Sequence, residues 1–185
     1  EPAVLETRAN LLARQADLPA AVAALRTALT LDPMASTIHS NLGARLLQLG
    51  DTKAAEQAWR EAVRLRPEAA TARLNLANLL ANNGNFNEAR THFQAAIRSA
   101  PAFADAYLAY AVALAAHNDN TQAELYLLEA LKHAPNAFEA HLRLGQLLHA
   151  RGETARAEKH LRQAAASPDK RISEAATRLL NSGFR

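Results

Sequence analysis

The 185-residue sequence contains no cysteine. Disulfides, thiolate zinc sites and a cysteine nucleophile are thereby excluded. The compartment stays open, since a cysteine-free chain suits cytoplasm and periplasm alike. Aromatic residues are only 5% of the chain against 49% apolar residues in all, and much of the apolar share is alanine, a strong helix former with little bulk. Such a chain buries a continuous core only if its helices pack closely. Long apolar runs are also missing. The longest, AYLAYAVALAA from Ala106 to Ala116, falls short of the roughly 20 residues that span a bilayer, so no membrane insertion is expected. A dominant charge is missing too: 21 Lys and Arg stand against 18 Asp and Glu, for a net +3. The densest basic group, Arg60, Arg64, Arg66 and Arg73, is offset by Glu56, Glu61 and Glu68. It reads as a solvated face, not the one-sided cluster that nucleic-acid binders use, and no nucleic-acid partner is expected. Glu1 stands first where a methionine would start a gene product, as expected of a fragment or a processed product.

Catalytic and metal signatures are absent as well. The seven histidines, at 39, 92, 117, 133, 141, 149 and 160, include no His-x-x-x-His pair of the kind that holds a metal on a helix. His141 and His149 lie two turns apart, too far to share an ion. GNFNEAR has the wrong spacing for a phosphate loop. No catalytic residue, metal or cofactor is expected, and the chain reads as no enzyme.

What is present is a period. Prolines follow helical runs at Pro33, Pro67, Pro101, Pro135 and Pro168, at intervals of 34, 34, 34 and 33. A fixed spacing of this size is the signature of a repeat array. The units are 2–35, 36–69, 70–103, 104–137 and 138–168. Aligned, their eleventh residues are Leu12, Leu46, Leu80, Leu114 and Leu148. The twentieth are Ala21, Ala55, Ala89, Ala123 and Ala157, and the twenty-seventh are Ala28, Ala62, Ala96, Ala130 and Ala164. The eighth are Ala9, Gly43, Ala77, Ala111 and Gly145. One all-alanine column can arise by chance in so alanine-rich a chain; these four, in register with the prolines, do not.

Each unit reads as two amphipathic helices. Positions 4, 7, 8 and 11 make one apolar face and positions 20, 24, 27 and 28 another. Between them lies a turn signal: LGD at 49–51, NGN at 83–85, HND at 117–119 and RGE at 151–153. Glycine there can take the left-handed conformation that ends a helix, and the Asp or Asn that follows can cap the next one. Asn85 and Glu88 have capping-box spacing, and Pro19 falls in the opening turn of its helix, where proline is tolerated. The small residues at positions 8 and 20 should let the helices of a hairpin touch. Leu25, Trp59, Phe93, Leu127 and Leu161, at position 24, should fill the gaps around them. After Pro168 the first-helix face recurs in Ile172, Ala175, Ala176 and Leu179, which reads as a capping helix over about residues 170–181, with the tail NSGFR leaving it at Gly183. The amino end has no equivalent cover, so Val4 and Leu11 are candidates for self-association.

The 34-residue period, the small residues at 8, 20 and 27 and the proline at 32 resemble the tetratricopeptide repeat family over residues 2–168. Arg8, at a position usually large and apolar, and the early fifth proline depart from its pattern. The resemblance implies an all-α fold, a right-handed α-solenoid of five helix-turn-helix repeats, with first helices lining a concave groove. It also implies a scaffold that binds a protein or an extended peptide. The groove positions then hold Asn41, Leu74, Asn75, Asn78, Asn82, Leu108, Val112, Leu142, Arg143 and Gln146.

Asn75, Asn78 and Asn82 share one face of one helix although asparagine is a poor helix former, by roughly 0.6 kcal/mol relative to alanine. An amide offers a donor and an acceptor together, as an extended peptide backbone requires. The alternative is that these amides are solvated or bond each other between neighbouring helices. Leu74, Leu108 and Leu142 form a row that either faces the groove or lies partly buried between repeats. Arg143 and Gln146 complete a gradient from amide through apolar to cationic, matched by a segment with apolar anchors and an acidic end. The chaperone-tail subtype of the family is not matched, because the lysines and arginine it needs are missing. The asparagines at position 6 resemble the amide ladder of O-linked N-acetylglucosamine transferase in two units only. A second functional reading is a regulatory or substrate-selecting arm of a larger enzyme, such as a glycosyl- or methyltransferase, or of a bacterial secretion or envelope assembly. Alanine and arginine richness fits a high-GC bacterial source.

Overall fold

The structure, a computed structural model, describes residues 1–182, so the departure of the tail at Gly183 lies outside the described residues. Among these there are only helices: α1 (Pro2–Arg14), α2 (Leu18–Leu31), α3 (Ser36–Gln48), α4 (Thr52–Leu65), α5 (Ala70–Asn82), α6 (Phe86–Ser99), α7 (Ala104–Ala116), α8 (Asn120–His133), α9 (Phe138–Ala150), α10 (Thr154–Ala165) and α11 (Lys170–Ser182). The chain divides into two compact units. The first, Glu1–Ala100, holds α1 to α6; the second, from Pro101 onward, holds α7 to α11. Within each unit every odd-numbered helix up to α9 packs chiefly on the helix that follows it, so the building block is a helical hairpin.

The turns explain where each hairpin bends. Ala16, Gly50, Gly84, Asn118 and Gly152 have φ of 63°, 83°, 81°, 61° and 75°. The next residue donates its backbone N–H five residues back, to the column of leucines: Asp17 to Leu12, Asp51 to Leu46, Asn85 to Leu80, Asp119 to Leu114 and Glu153 to Leu148, at 2.8–3.0 Å. This is the Schellman closure, which satisfies a carbonyl that the helix end leaves open. Asp17, Asp51 and Asp119 then cap α2, α4 and α8 through their side chains. Asn85 departs from the capping expectation. Its side chain makes no cap and instead donates to Glu88 Oε2 at 2.7 Å.

The core follows the small columns. Every alanine at positions 8, 20 and 27 is fully buried. Gly43 faces Trp59, and Gly145 faces Leu161. The smallness of position 8 thus answers to the bulky residue at position 24. Position 4 supplies a polar tie back to the proline loop that precedes it. His39 Nε2 donates to the Pro33 carbonyl at 2.9 Å, Tyr107 Oη to Pro101 at 3.0 Å and His141 Nε2 to Pro135 at 2.9 Å, while Arg73 Nε donates to Pro67. At the carboxyl end α11 lays Ala176 on Leu142, Leu161 and Ala164, flanked by Ile172, Ala175, Leu179 and Leu180. This is the cover a solenoid end requires.

Candidate functional site

In the first unit the predicted amides separate into two kinds. Asn41 on α3 is half-buried, and its Nδ2 donates to Glu6 Oε1 of α1 at 2.7 Å. That amide is committed to a neighbouring hairpin, through a carboxylate and not through another asparagine. Asn75 and Asn78 on α5 are half-exposed and Asn82 is exposed. No side-chain hydrogen bond among the described residues engages these three. Leu74 is not a surface rung, since it lies in the core at 7% exposure.

The second unit holds a cleft. Leu142 is buried under α11 and Leu108 is half-buried, so the leucine row supplies packing more than contact surface. Val112, at 38% exposure, faces open space instead. With Arg143 and Gln146 of α9 it lines a cleft of about 460 Å³, floored by Leu127 and walled by Leu147. Ala115, Ala116 and Ala150 leave the room. This run of small residues at the carboxyl ends of two first helices was the sequence signal for the cleft, and it is easily missed in an alanine-rich chain.

Electrostatics around the cleft are balanced. Arg143 Nε reaches Glu139 Oε1 at 2.7 Å, an exposed pair one turn apart and therefore easily exchanged. Arg151, also on the cleft wall, is held by Glu124, whose other oxygen takes Arg156 at 2.6 Å. Burial works against the charge on Glu124, but hydrogen bonds from Arg156 and Arg151 outweigh it and hold the carboxyl below the ordinary range. In the first unit Arg60 joins Glu56 and Glu88, Arg64 joins Glu61 and Arg66 approaches Glu68 at 3.8 Å. The basic group read from the sequence is thus largely neutralised by carboxylates.

Histidines form a further relationship that the sequence did not reveal. His141 Nδ1 and His160 Nδ1 are 2.9 Å apart. Since His141 Nε2 must donate to the Pro135 carbonyl, its Nδ1 accepts and His160 Nδ1–H donates. Arg73 and His92 occupy the same two positions two repeats earlier in the sequence, with Arg73 Nη1 3.4 Å from His92 Nδ1. These pairs link positions 4 and 23, so the signal was a spacing of 19 across the hairpin. No group of three or more metal-ligating side chains comes together among the described residues, and no described helix is long and apolar enough to cross a membrane.

The sequence matches the tetratricopeptide repeat in four overlapping stretches, residues 7–51, 41–101, 74–132 and 111–171. The chain belongs to the tetratricopeptide repeat family. No curated protein matches it in sequence. Among solved structures, MamA from Desulfovibrio magneticus RS-1 is similar at a TM-score of 0.77 and 19% identity, over 91% of this chain and 97% of that one. PilW, described as a widely conserved type IV pilus biogenesis factor, gives 0.81 and 19%, over 98% and 93%. YrrB, described as a tetratricopeptide repeat protein with an unusual peptide-binding site, gives 0.70 and 22%, over 95% and 91%. At these identities the likeness is one of fold, the all-α solenoid class. A tetratricopeptide repeat protein is in general terms a scaffold for protein or peptide partners, and this chain is one by membership.

Proposed function

We propose that the first helices of this tetratricopeptide repeat protein hold an extended segment of a partner protein, with an apolar side chain of that segment seated between α7 and α9. The cleft carries the reading: about 460 Å³, lined by Val112, Leu127 and Leu147 with Gln146 and Arg143 among its polar residues. Apolar pockets of this size with a few polar groups are how proteins take small ligands and side chains. Gln146 offers a donor and an acceptor to the backbone of the bound segment, and Arg143 exchanges its exposed partner Glu139 for an acidic group. In the first unit, as a separate place of contact, Asn75, Asn78 and Asn82 offer amides that have no side-chain hydrogen bond among the described residues to the backbone of an extended segment. The peptide-binding site named for YrrB lends the reading support by analogy of fold.

Peptides displayed on phage and panned on the immobilised protein test this. Enriched sequences should share an apolar residue. Ala116→Trp fills the cleft from the exposed end of α7, and should weaken a selected peptide by roughly tenfold or more, about 1.4 kcal/mol, with helicity unchanged. Asn75→Ala combined with Asn78→Ala should weaken those selected peptides that bind the first unit. Selected peptides that bind both variants as well as the original would overturn the assignment.

A further inference from the structure

Asn120, the first residue of α8, lines the cleft of the second unit. It is exposed, and no side-chain hydrogen bond among the described residues engages its amide. Its counterparts at position 17 of the second and fifth repeats behave differently. Thr52 and Thr154 lean back on their own turns, donating to the Gly50 and Gly152 carbonyls at 3.5 and 3.4 Å. The charged groups of the cleft are already engaged, Arg143 by Glu139 and Arg151 by Glu124, while Gln146 serves the backbone of the bound segment. Asn120 is left at the cleft with a donor and an acceptor unused.

The rest of the lining narrows the guest. At about 460 Å³ the cleft falls in the range, roughly 300–1,000 Å³, that admits whole small ligands, so a ring enters as readily as a branched chain. Ala111, Ala115, Ala116 and Ala150 extend no further than a β-carbon and leave flat walls. Arg143 and Arg151 line the cleft and no carboxylate does, which disfavours a cationic guest. An acidic guest would shed its water against Leu127 and Leu147, which is costly. Leucine, valine or phenylalanine would fill the floor but bring nothing to the amide, and covering a polar group without a partner carries a penalty. An indole N–H only donates, whereas a phenol hydroxyl donates and accepts, as the amide does. Tyrosine has the apolar body and the polar tip that the floor and Asn120 together match.

We infer that the side chain seated between α7 and α9 is a tyrosine, and that Asn120 is the specificity-determining residue. Its amide hydrogen-bonds the phenol hydroxyl while the ring lies on Leu127 and the alanine walls. This rests on the seating of a partner side chain in that cleft, and adds which side chain it is.

Three blocked amino acids, the N-acetyl amides of tyrosine, phenylalanine and leucine, test it in NMR titrations. The tyrosine probe should bind roughly fivefold more tightly than the phenylalanine probe, the scale of one neutral hydrogen bond, and should shift the side-chain amide resonance of Asn120. Asn120→Ala should level the two by weakening tyrosine alone. Asn120→Asp keeps an acceptor for the phenol and should restore the preference. A merely structural role of Asn120 would weaken both probes alike, and that result counts against the assignment. Equal binding of tyrosine and phenylalanine by the original chain, no binding of the tyrosine probe, or a tyrosine preference that survives Asn120→Ala overturns the inference. The apolar seat outlives equal binding if all three probes enter the cleft and Ala116→Trp excludes them. It falls, and the tyrosine with it, if no probe perturbs the cleft and phage-selected peptides bind Ala116→Trp as well as the original chain.

Discussion

The indole of Trp59 lies against the backbone of Gly43, so that a β-carbon there would stand 2.7 Å from Trp59 Nε1. The same indole N–H donates to the Ser40 carbonyl at 3.0 Å, and the ring is only 2% exposed. It has no room to retreat and a hydrogen bond to lose. Gly43→Ala gains roughly 1 kcal/mol of helix propensity but forces the ring to move, at about 1–3 kcal/mol. The expected outcome is a net loss of about 1 kcal/mol and a shift in the emission of Trp59, the chain's single tryptophan. A thermal melt followed by fluorescence checks both; a raised midpoint would refute the packing account.

Position 20 makes the same point from the second helix. Ala89 is fully buried, and Ala89→Leu adds three carbons where none fit. It should cost roughly 1–3 kcal/mol through overpacking, read from urea denaturation. A midpoint equal to that of the original chain would show that the alanine column is not a packing constraint.

The five left-handed turn residues separate conformation from contact. Gly50, Gly84 and Gly152 adopt positive φ freely, but Ala16 and Asn118 do so with a side chain. For alanine the left-handed region costs roughly 1–2 kcal/mol, whereas asparagine visits it more readily. Ala16→Gly should therefore stabilise the chain, by about 0.5–1 kcal/mol after the added freedom of the unfolded glycine is set against it. Asn118→Gly should gain less. The ranking of the two melting temperatures tests the argument, and a loss of stability in Ala16→Gly contradicts it.

Much of this architecture was legible because its causes are local. The proline period, the glycine turns and the alanine columns each act within one hairpin, and repetition multiplied a weak signal five times. The capping helix was legible for the same reason, since Ile172, Ala175, Ala176 and Leu179 repeat the first-helix face. The candidate site was less so, because exposure is set by neighbours far along the chain. Leu142 shares position 5 with Leu108, yet one is buried under α11 and the other half-buried. Asn41 met Glu6 across 35 residues, which no single-helix pattern records.

Capping distinguishes two residues that the sequence treats alike. Asp51 accepts from the Ala54 N–H at 3.1 Å, whereas Asn85 at the same place in the next hairpin turns to Glu88. Asp51→Ala should cost about 1 kcal/mol, as loss of a helix cap does. Asn85→Ala removes only an exposed side-chain contact and should cost no more than a few tenths of a kcal/mol. Urea midpoints of the two variants decide it, and equal losses would mean that Asn85 caps α6 in solution.

The histidine pair makes stability depend on pH in a definite direction. His160 is pushed down to about 4, first by burial and then by its neighbours His141, Lys159 and Arg156, which disfavour a proton on it. Its ordinary value is 6.5, so in mild acid the unfolded chain takes up a proton that the native chain refuses. The native state thus keeps its full advantage above about pH 6.5 and loses it as pH falls from there towards 4. Because His160 is only half-buried, solvent screening reduces the effect to on the order of 1–2 kcal/mol. Carboxylates also titrate in this range, so the measurement is a difference: urea midpoints at pH 7.5 and 4.5 for the original chain and for His160→Phe. The variant should lose less stability on acidification, since it has no proton to take up. An identical acid loss in both chains would show that the pair near Pro135 does not govern the acid response of the α9–α10 hairpin.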